Sequence, residues 1–336
     1  MEQLIGRKVM NDIINNYGVT IIPAQSILNS ESIKLIINHK IESDSIILST
    51  EKKSDVETND IIEKTVNRSR ELLTSISSTR KIPLMEIRRE ILPAIQTVSK
   101  NTELYELFEF VKAKDDYTYQ HNIGVGIIAT LIGQWMNLDE TELAILSLAA
   151  TLHDVGKVKI PTDILNKPGK LTAEEFQLVK KHTVFGYEML KETTGISQRV
   201  ANVALQHHER DDGNGYPLGL KKGNIDTFSS IVAVADIFHA MSSKRPYHDP
   251  IPFQEIISQM RQGKFGELNP QIVSVFLDNI MKRLVGKQVV LTDGRVGEVI
   301  YLNPHSIETP LIKVADQFLD LSHERSIQIK DIIISA

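Results

Sequence analysis

The sequence predicts a mainly α protein: a long helical region flanked by a small N-terminal α+β module and a small C-terminal β module. Three observations carry this. From Asp115 to about Leu284, apolar residues recur at helical spacing, broken chiefly at the loops Lys157 to Lys170 and His208 to Asp226. Before it, the β-branched runs Val19 to Ile22 and Ile46 to Leu48 bracket one helical stretch, Ser30 to His39, in which Ser30 can cap. After Val285 the pattern changes to short strands.

In order, the charged segment Glu51 to Asp60 reads as a linker or exposed turn, and helices follow over Ile61 to Ser77, Leu84 to Val98 and Glu103 to Lys114. The tail offers strands at Gln288 to Leu291, Val296 to Leu302, Leu311 to Val314 and Ser326 to Ile334. An Asp293-Gly294 turn joins the first two, and a small β-barrel or β-sandwich fits. At 336 residues the chain exceeds the size of one typical core. The expected division is 1–58 as an α+β regulatory module, 59–114 as a helical linker or the start of the helical domain, 115–284 as the catalytic domain, and 285–336 as the β domain.

Composition narrows the chemistry. A net charge of -5 gives no global basic footprint, which argues against DNA or RNA as a partner. The absence of cysteine removes disulfides, thiolate catalysis and cysteine-ligated metals, so any metal would need His and carboxylate ligands. The N-terminus lacks the pattern of a cleaved signal, and the most apolar stretch, Ile123 to Met136, is interrupted by Gly126, Gly133 and Gln134. A cytoplasmic protein without membrane spans is expected.

Seven of the ten histidines fall between His121 and His248. His121 continues the stripe Val125, Ile128, Ile132 and Trp135, so it faces inward. Ile145, Ala149 and His153 are four apart, with Asp154 beside them near the helix end. Thr172 and Glu175 form a capping box for a third helix, where Phe176, Val179, His182 and Gly186 occupy neighbouring faces. Val200, Ala204, His207 and His208 end a fourth helix, and Phe228, Val232 and Asp236 bring a carboxylate to the inner face of a fifth. One inward His is usually a hydrogen-bonded core residue. Five, with two aspartates, would be costly to bury without a compensating ion, and all-nitrogen-and-oxygen ligation suits iron, manganese or zinc. Asp154 could bridge two ions.

Two loops add polar and turn chemistry. HDVGKVKIP supplies Lys157, one turn after His153, and HHERDDGNGYPLG supplies Arg210 with a glycine-rich bend, which together suggest a phosphate cradle. Taken alone, Gly213, Gly215 and Pro217 would only make a tight turn, and Lys244 and Arg245 would be helix C-terminal charges.

These residues resemble the HD-GYP family of the HD phosphohydrolase superfamily over roughly residues 115 to 280. The likeness lies in YTYQH ending at His121, HDVGK at 153 to 157, the KKH of His182, HHERDDGNGYP at 207 to 217 and ADIFHAMSSKRPY at 235 to 247. The resemblance implies a helical domain with two or three metals, usually iron or manganese, hydrolysing cyclic di-GMP to linear pGpG and often onward to GMP. It implies His121, His153, Asp154, His182, His207, His208 and Asp236 as metal ligands and Lys157 and Arg245 as phosphate contacts. Gly215, Tyr216 and Pro217 would be the signature loop, which shapes the site and can serve a signalling partner.

Three positions depart from that pattern. Tyr117 stands where some members have a Glu that helps hold a third metal, which favours two ions. His239 replaces the usual aspartate on the Asp236 side of its helix; an extra ligand, a proton donor to the leaving oxygen and a sign of altered activity are all open readings. Asn122 replaces a common Ser, a tolerable change. The rival readings are a non-catalytic cyclic-dinucleotide receptor or interaction module, and an HD phosphohydrolase acting on another nucleotide. The preferred cyclic dinucleotide, the final product, the signal sensed by the terminal modules and assembly as a homodimer are left open by the sequence.

Overall fold

The computed structural model describes residues 9, 11–15, 20–22, 26, 28, 30–39, 41, 46, 54–101, 117–242, 251–324 and 326–333. The expected helix 103–114 and the residues Lys244 and Arg245 lie outside them. The chain divides into two compact units, 1–60 with 334–336, and 61–333.

In the first unit, strands β1 (Ile13–Ile14) and β2 (Thr20–Ile22) pair antiparallel, and helix α1 (Ser30–Asn38) follows. Val9, Ile13, Ile22, Leu28, Ile33, Ile36 and Ile46 form its core, so the mixed α+β reading holds. Helix α2 (Ser54–Thr79) begins seven residues before the expected start, at a stretch the sequence marked as linker. Charge alone does not stop a helix when neither Gly nor Pro interrupts it.

The second unit is mostly helical. Helix α3 (Leu84–Glu86), a π turn (Ile87–Ile91) and α4 (Leu92–Asn101) run on continuously, and α5 (Tyr117–Trp135) lies against α4. Next come α6 (Glu140–Leu152), a 3-10 turn (Val155–Lys159), α7 (Thr162–Leu165), α8 (Ala173–Lys180), α9 (His182–Lys191) and α10 (Gln198–Gln206). Helices α11 (Thr227–Ser242), α12 (Phe253–Arg261) and α13 (Pro270–Lys282) complete the set.

Local signals start these helices. Asp139 accepts from the Glu142 amide at α6, the Thr172–Glu175 capping box forms as expected at α8, and Ser197 caps α10. Asn269 caps α13 with Pro270 in its first turn. Their apolar faces meet in one core, in which Val125, Ile132, Ala149, Ala204, Ile231 and Val232 are fully buried. No described helix is long and apolar enough to cross a membrane.

The tail forms one five-stranded antiparallel sheet of order β6-β5-β4-β3-β7, in place of the barrel or sandwich expected. Its strands are β3 (Gln288–Leu291), β4 (Val296–Asn303), β5 (Ser306–Val314), β6 (Gln317–Asp320) and β7 (Ile329–Ile332). The Asp293-Gly294 turn joins β3 and β4, with Gly294 at φ 88°. β6 escaped the sequence reading because four residues flanked by turns carry little periodicity. A single sheet suffices because helices cover it: the Ile329 amide donates to Gln254 Oε1 of α12, and Arg261 pairs with Glu308 of β5 at 2.6 Å.

Candidate metal centre

Asp154 is the hub of the site. It follows α6 and His153, at the mouth of the 3-10 turn, and its two oxygens face different imidazoles. Oδ2 lies 3.3 Å from His153 Nε2 and 3.8 Å from His121 Nε2. Oδ1 lies 3.3 Å from His182 Nε2 and 3.9 Å from His207 Nε2. Donor atoms thus fall into two groups sharing Asp154: His121 with His153, and His182 with His207 and His208. Asp236, from α11, meets His121 Nε2 at 3.1 Å. All seven residues expected as ligands from five helices are brought together.

The imidazoles are aimed by their other nitrogens. His153 Nδ1 lies 2.7 Å from the Ala150 carbonyl, His182 Nδ1 2.7 Å from that of Val179, and His207 Nδ1 3.0 Å from that of Val203. A carbonyl only accepts, so each Nδ1 carries the proton and each Nε2 presents a lone pair to the centre. Helix ends provide these carbonyls, which explains why the histidines terminate helices or open them.

The electrostatics describe a desolvated cluster. Burial holds His121, His182 and His207 below the usual imidazole range, and pulls His208 down to about 3. Burial also opposes the charge on His153, yet Asp154 outweighs it and leaves that imidazole raised. Burial disfavours ionised Asp154, but Lys157 and His153 hold its carboxyl well below the ordinary range. The same holds for Asp236, where the hydrogen bond from His121 overcomes burial. Asp154 Oδ1 and His153 Nε2 are buried without a hydrogen-bond partner. Buried imidazole nitrogens and an orphaned oxygen of an ionised carboxylate are what divalent cations satisfy, so the residues fit a metal.

The signature loop packs against this cluster. The Tyr216 ring stacks on His208 with centroids 4.6 Å apart, and burial pushes its hydroxyl above the usual phenol range. A Cβ on Gly215 would come within 2.4 Å of Glu209 Cα and 2.5 Å of the Arg210 nitrogen, so only glycine lets the loop cross its own HHER segment. Pro217 follows Tyr216 through a cis bond. Glu209, which sequence reasoning gave no role, is buried and accepts the Leu218 amide at 2.7 Å and the Leu220 amide at 2.9 Å. Its place between two ligands and a glycine-rich bend was the available signal.

Three further residues expected at the site lie around this cluster. Arg210 donates to the carbonyls of Phe265 (2.9 Å) and Glu209 (2.8 Å), which struts the loop. Lys157 bonds Asp154 Oδ2, with its side chain 30% exposed at the edge of the cluster. His239 is buried behind His121, its Nδ1 3.1 Å from His121 Nδ1, while the carboxylates occupy the Nε2 side. That placement suits orienting His121. Gly124, another missed position, makes room for it: a Cβ there would sit 2.1 Å from His239 Nε2.

The family model described as "HD domain" matches residues 102–271. The chain is 38% identical over 204 residues to a Pseudomonas aeruginosa protein named cyclic di-GMP phosphodiesterase PA4108, covering 61% of this chain and 49% of that one. It is 41% identical over 179 residues to a Thermotoga maritima protein named cyclic di-GMP phosphodiesterase, covering 52% and 49%. It is 36% identical over 177 residues to 3'3'-cGAMP-specific phosphodiesterase 2 of Vibrio cholerae, covering 52% and 34%. The chain therefore spans about half the length, or less, of these curated relatives. In fold it is similar to the solved structure of Bd1817, an HD-GYP-type protein from Bdellovibrio bacteriovorus. That match has a TM-score of 0.53 and 16% identity, and covers 82% of this chain and 96% of that one.

Proposed function

Because the chain belongs to the HD domain family, we propose that it is a metal-dependent phosphodiesterase whose substrate is a cyclic dinucleotide, cyclic di-GMP in the first place. The single observation that supports this best is the divided loyalty of Asp154, whose two oxygens serve two imidazole groups. Two ions, iron or manganese by donor set and by resemblance, would be held by His121, His153 and Asp236 on one side and His182, His207 and His208 on the other. Asp154 would lie between them. Bound there, such ions would activate water and neutralise charge on the phosphoryl oxygens.

The chain's own residues do the positioning. The pinned Nδ1 protons keep the Nε2 lone pairs fixed, and burial holds His121, His182, His207 and His208 below the usual imidazole range. Lys157, at the exposed edge, would hold a non-bridging phosphate oxygen, a task for its point charge. Gly215 and Glu209 hold Tyr216 against His208, so the loop closes one side of the cluster. Linear pGpG as first product, a cytoplasmic setting and a partner at the loop belong to the same proposal.

The test is metal analysis of protein purified without oxygen, coupled to product analysis with cyclic di-GMP, 3'3'-cGAMP and cyclic di-AMP. Two equivalents of metal and a linear dinucleotide product are expected. Metal without turnover of any of the three would sink the phosphodiesterase and leave a receptor.

A further inference from the structure

Phe176, expected on a face neighbouring that of His182, is 46% exposed. Lys180, one turn on, sets its ammonium 4.8 Å from the Phe176 ring centroid and 4.9 Å from that of Tyr216. Tyr216 in turn stacks on His208 at 4.6 Å. A continuous run of π faces and one cation therefore leads from a ligand of the centre to the surface, in three contacts each under 5 Å. Among the described residues no carboxylate pairs with Lys180, whose ammonium faces the two rings.

We infer that Phe176 and Lys180, backed by Tyr216, form a guanine-binding shelf at the rim of the metal centre. The inference rests on the phosphodiesterase reading. A dinucleotide whose phosphate reaches the cluster must carry a base several ångströms away, and this shelf is the aromatic surface adjoining His208. Stacking on Phe176 accepts any base, because every base has a π face. Lys180 adds the selectivity. Guanine offers the O6 and N7 acceptors to an ammonium, whereas adenine presents an N6 amino donor where O6 would be. The shelf thus favours a substrate with at least one guanine, and it accepts cyclic di-GMP and 3'3'-cGAMP over cyclic di-AMP.

The experiment uses the manganese-loaded full chain, its Phe176→Ala, Phe176→Trp and Lys180→Met variants, and two readouts. Steady-state kinetics with cyclic di-GMP and cyclic di-AMP give KM and kcat separately, and calorimetry gives equilibrium binding of GMP and AMP. Phe176→Ala should raise KM for cyclic di-GMP by about fivefold or more with kcat within about twofold, and Phe176→Trp should restore it. Lys180→Met should erase the GMP-over-AMP preference while metal content stays at the wild-type level. Equal binding of GMP and AMP by the wild type, or variants indistinguishable from it in both readouts, would overturn the shelf. A wild type that turns over no cyclic dinucleotide but still prefers GMP, and loses that preference in Lys180→Met, would overturn the catalytic reading and keep the shelf.

Discussion

The helical cluster around Asp154 and the C-terminal sheet bury their interiors for opposite purposes. In the sheet, Val289, Leu291, Val299, Ile312 and Ile329 are all fully buried and apolar, and its backbone groups answer one another across five strands. Burial there stabilises the fold directly. In the cluster, His153, His182 and His207 are equally buried, yet their Nε2 atoms converge on the carboxylate of Asp154, with His182 and His207 meeting each other at 3.4 Å and His153 Nε2 left without a hydrogen-bond partner. Such a core costs stability and is explained by something it binds.

This contrast can be broken most severely at its hub. Asp154→Ala should take metal content to background and abolish turnover, while the far-ultraviolet circular dichroism spectrum stays helical. Full activity in that variant would mean the centre lies elsewhere. Next in size, Glu209→Ala leaves two loop amides without their carboxylate and loosens Tyr216 from His208. A metal affinity about 10–100-fold weaker is expected, read by competition with a chelator.

The other half of the comparison is tested by Leu291→Ala. Truncating that buried side chain should cost about 2–5 kcal/mol in urea unfolding and leave metal stoichiometry unchanged. Loss of metal in Leu291→Ala would show that the two regions do not separate as described.

The smallest expected effect is on pH. His121, His182, His207 and His208 have folded values below their usual 6.5, so the unfolded chain binds protons there that the folded chain refuses. Stability of the metal-free chain should therefore fall as pH drops from 6.5 towards about 3, with the raised His153 working against the trend. Asp154 and Asp236, both held low, add their loss only below the ordinary carboxylate range. A thermal midpoint that rises between pH 7 and pH 5 would contradict this sign.

The contrast also explains what could be read from the sequence. The stripe through His121, Val125, Ile128 and Ile132 is a property of helical spacing, so those residues were legible, and all four are buried. The Thr172 cap was legible because its partner lies three residues away. What escaped depended on contacts distant in sequence, with Gly124 yielding to His239 and Arg210 reaching Phe265, or on a strand too short to show periodicity, β6.

One close approach shapes how this chain can vary. A Cβ on Gly156 would meet the His182 carbonyl oxygen at 2.0 Å and the Gly186 nitrogen at 2.4 Å, so the turn after Asp154 rests directly on the backbone of α9. The spacing between His153–Asp154 and His182 is thus gauged by main chain against main chain. Core side chains around it can drift over many generations without moving the ligands, whereas a single methyl group at Gly156 would push the two halves of the centre apart.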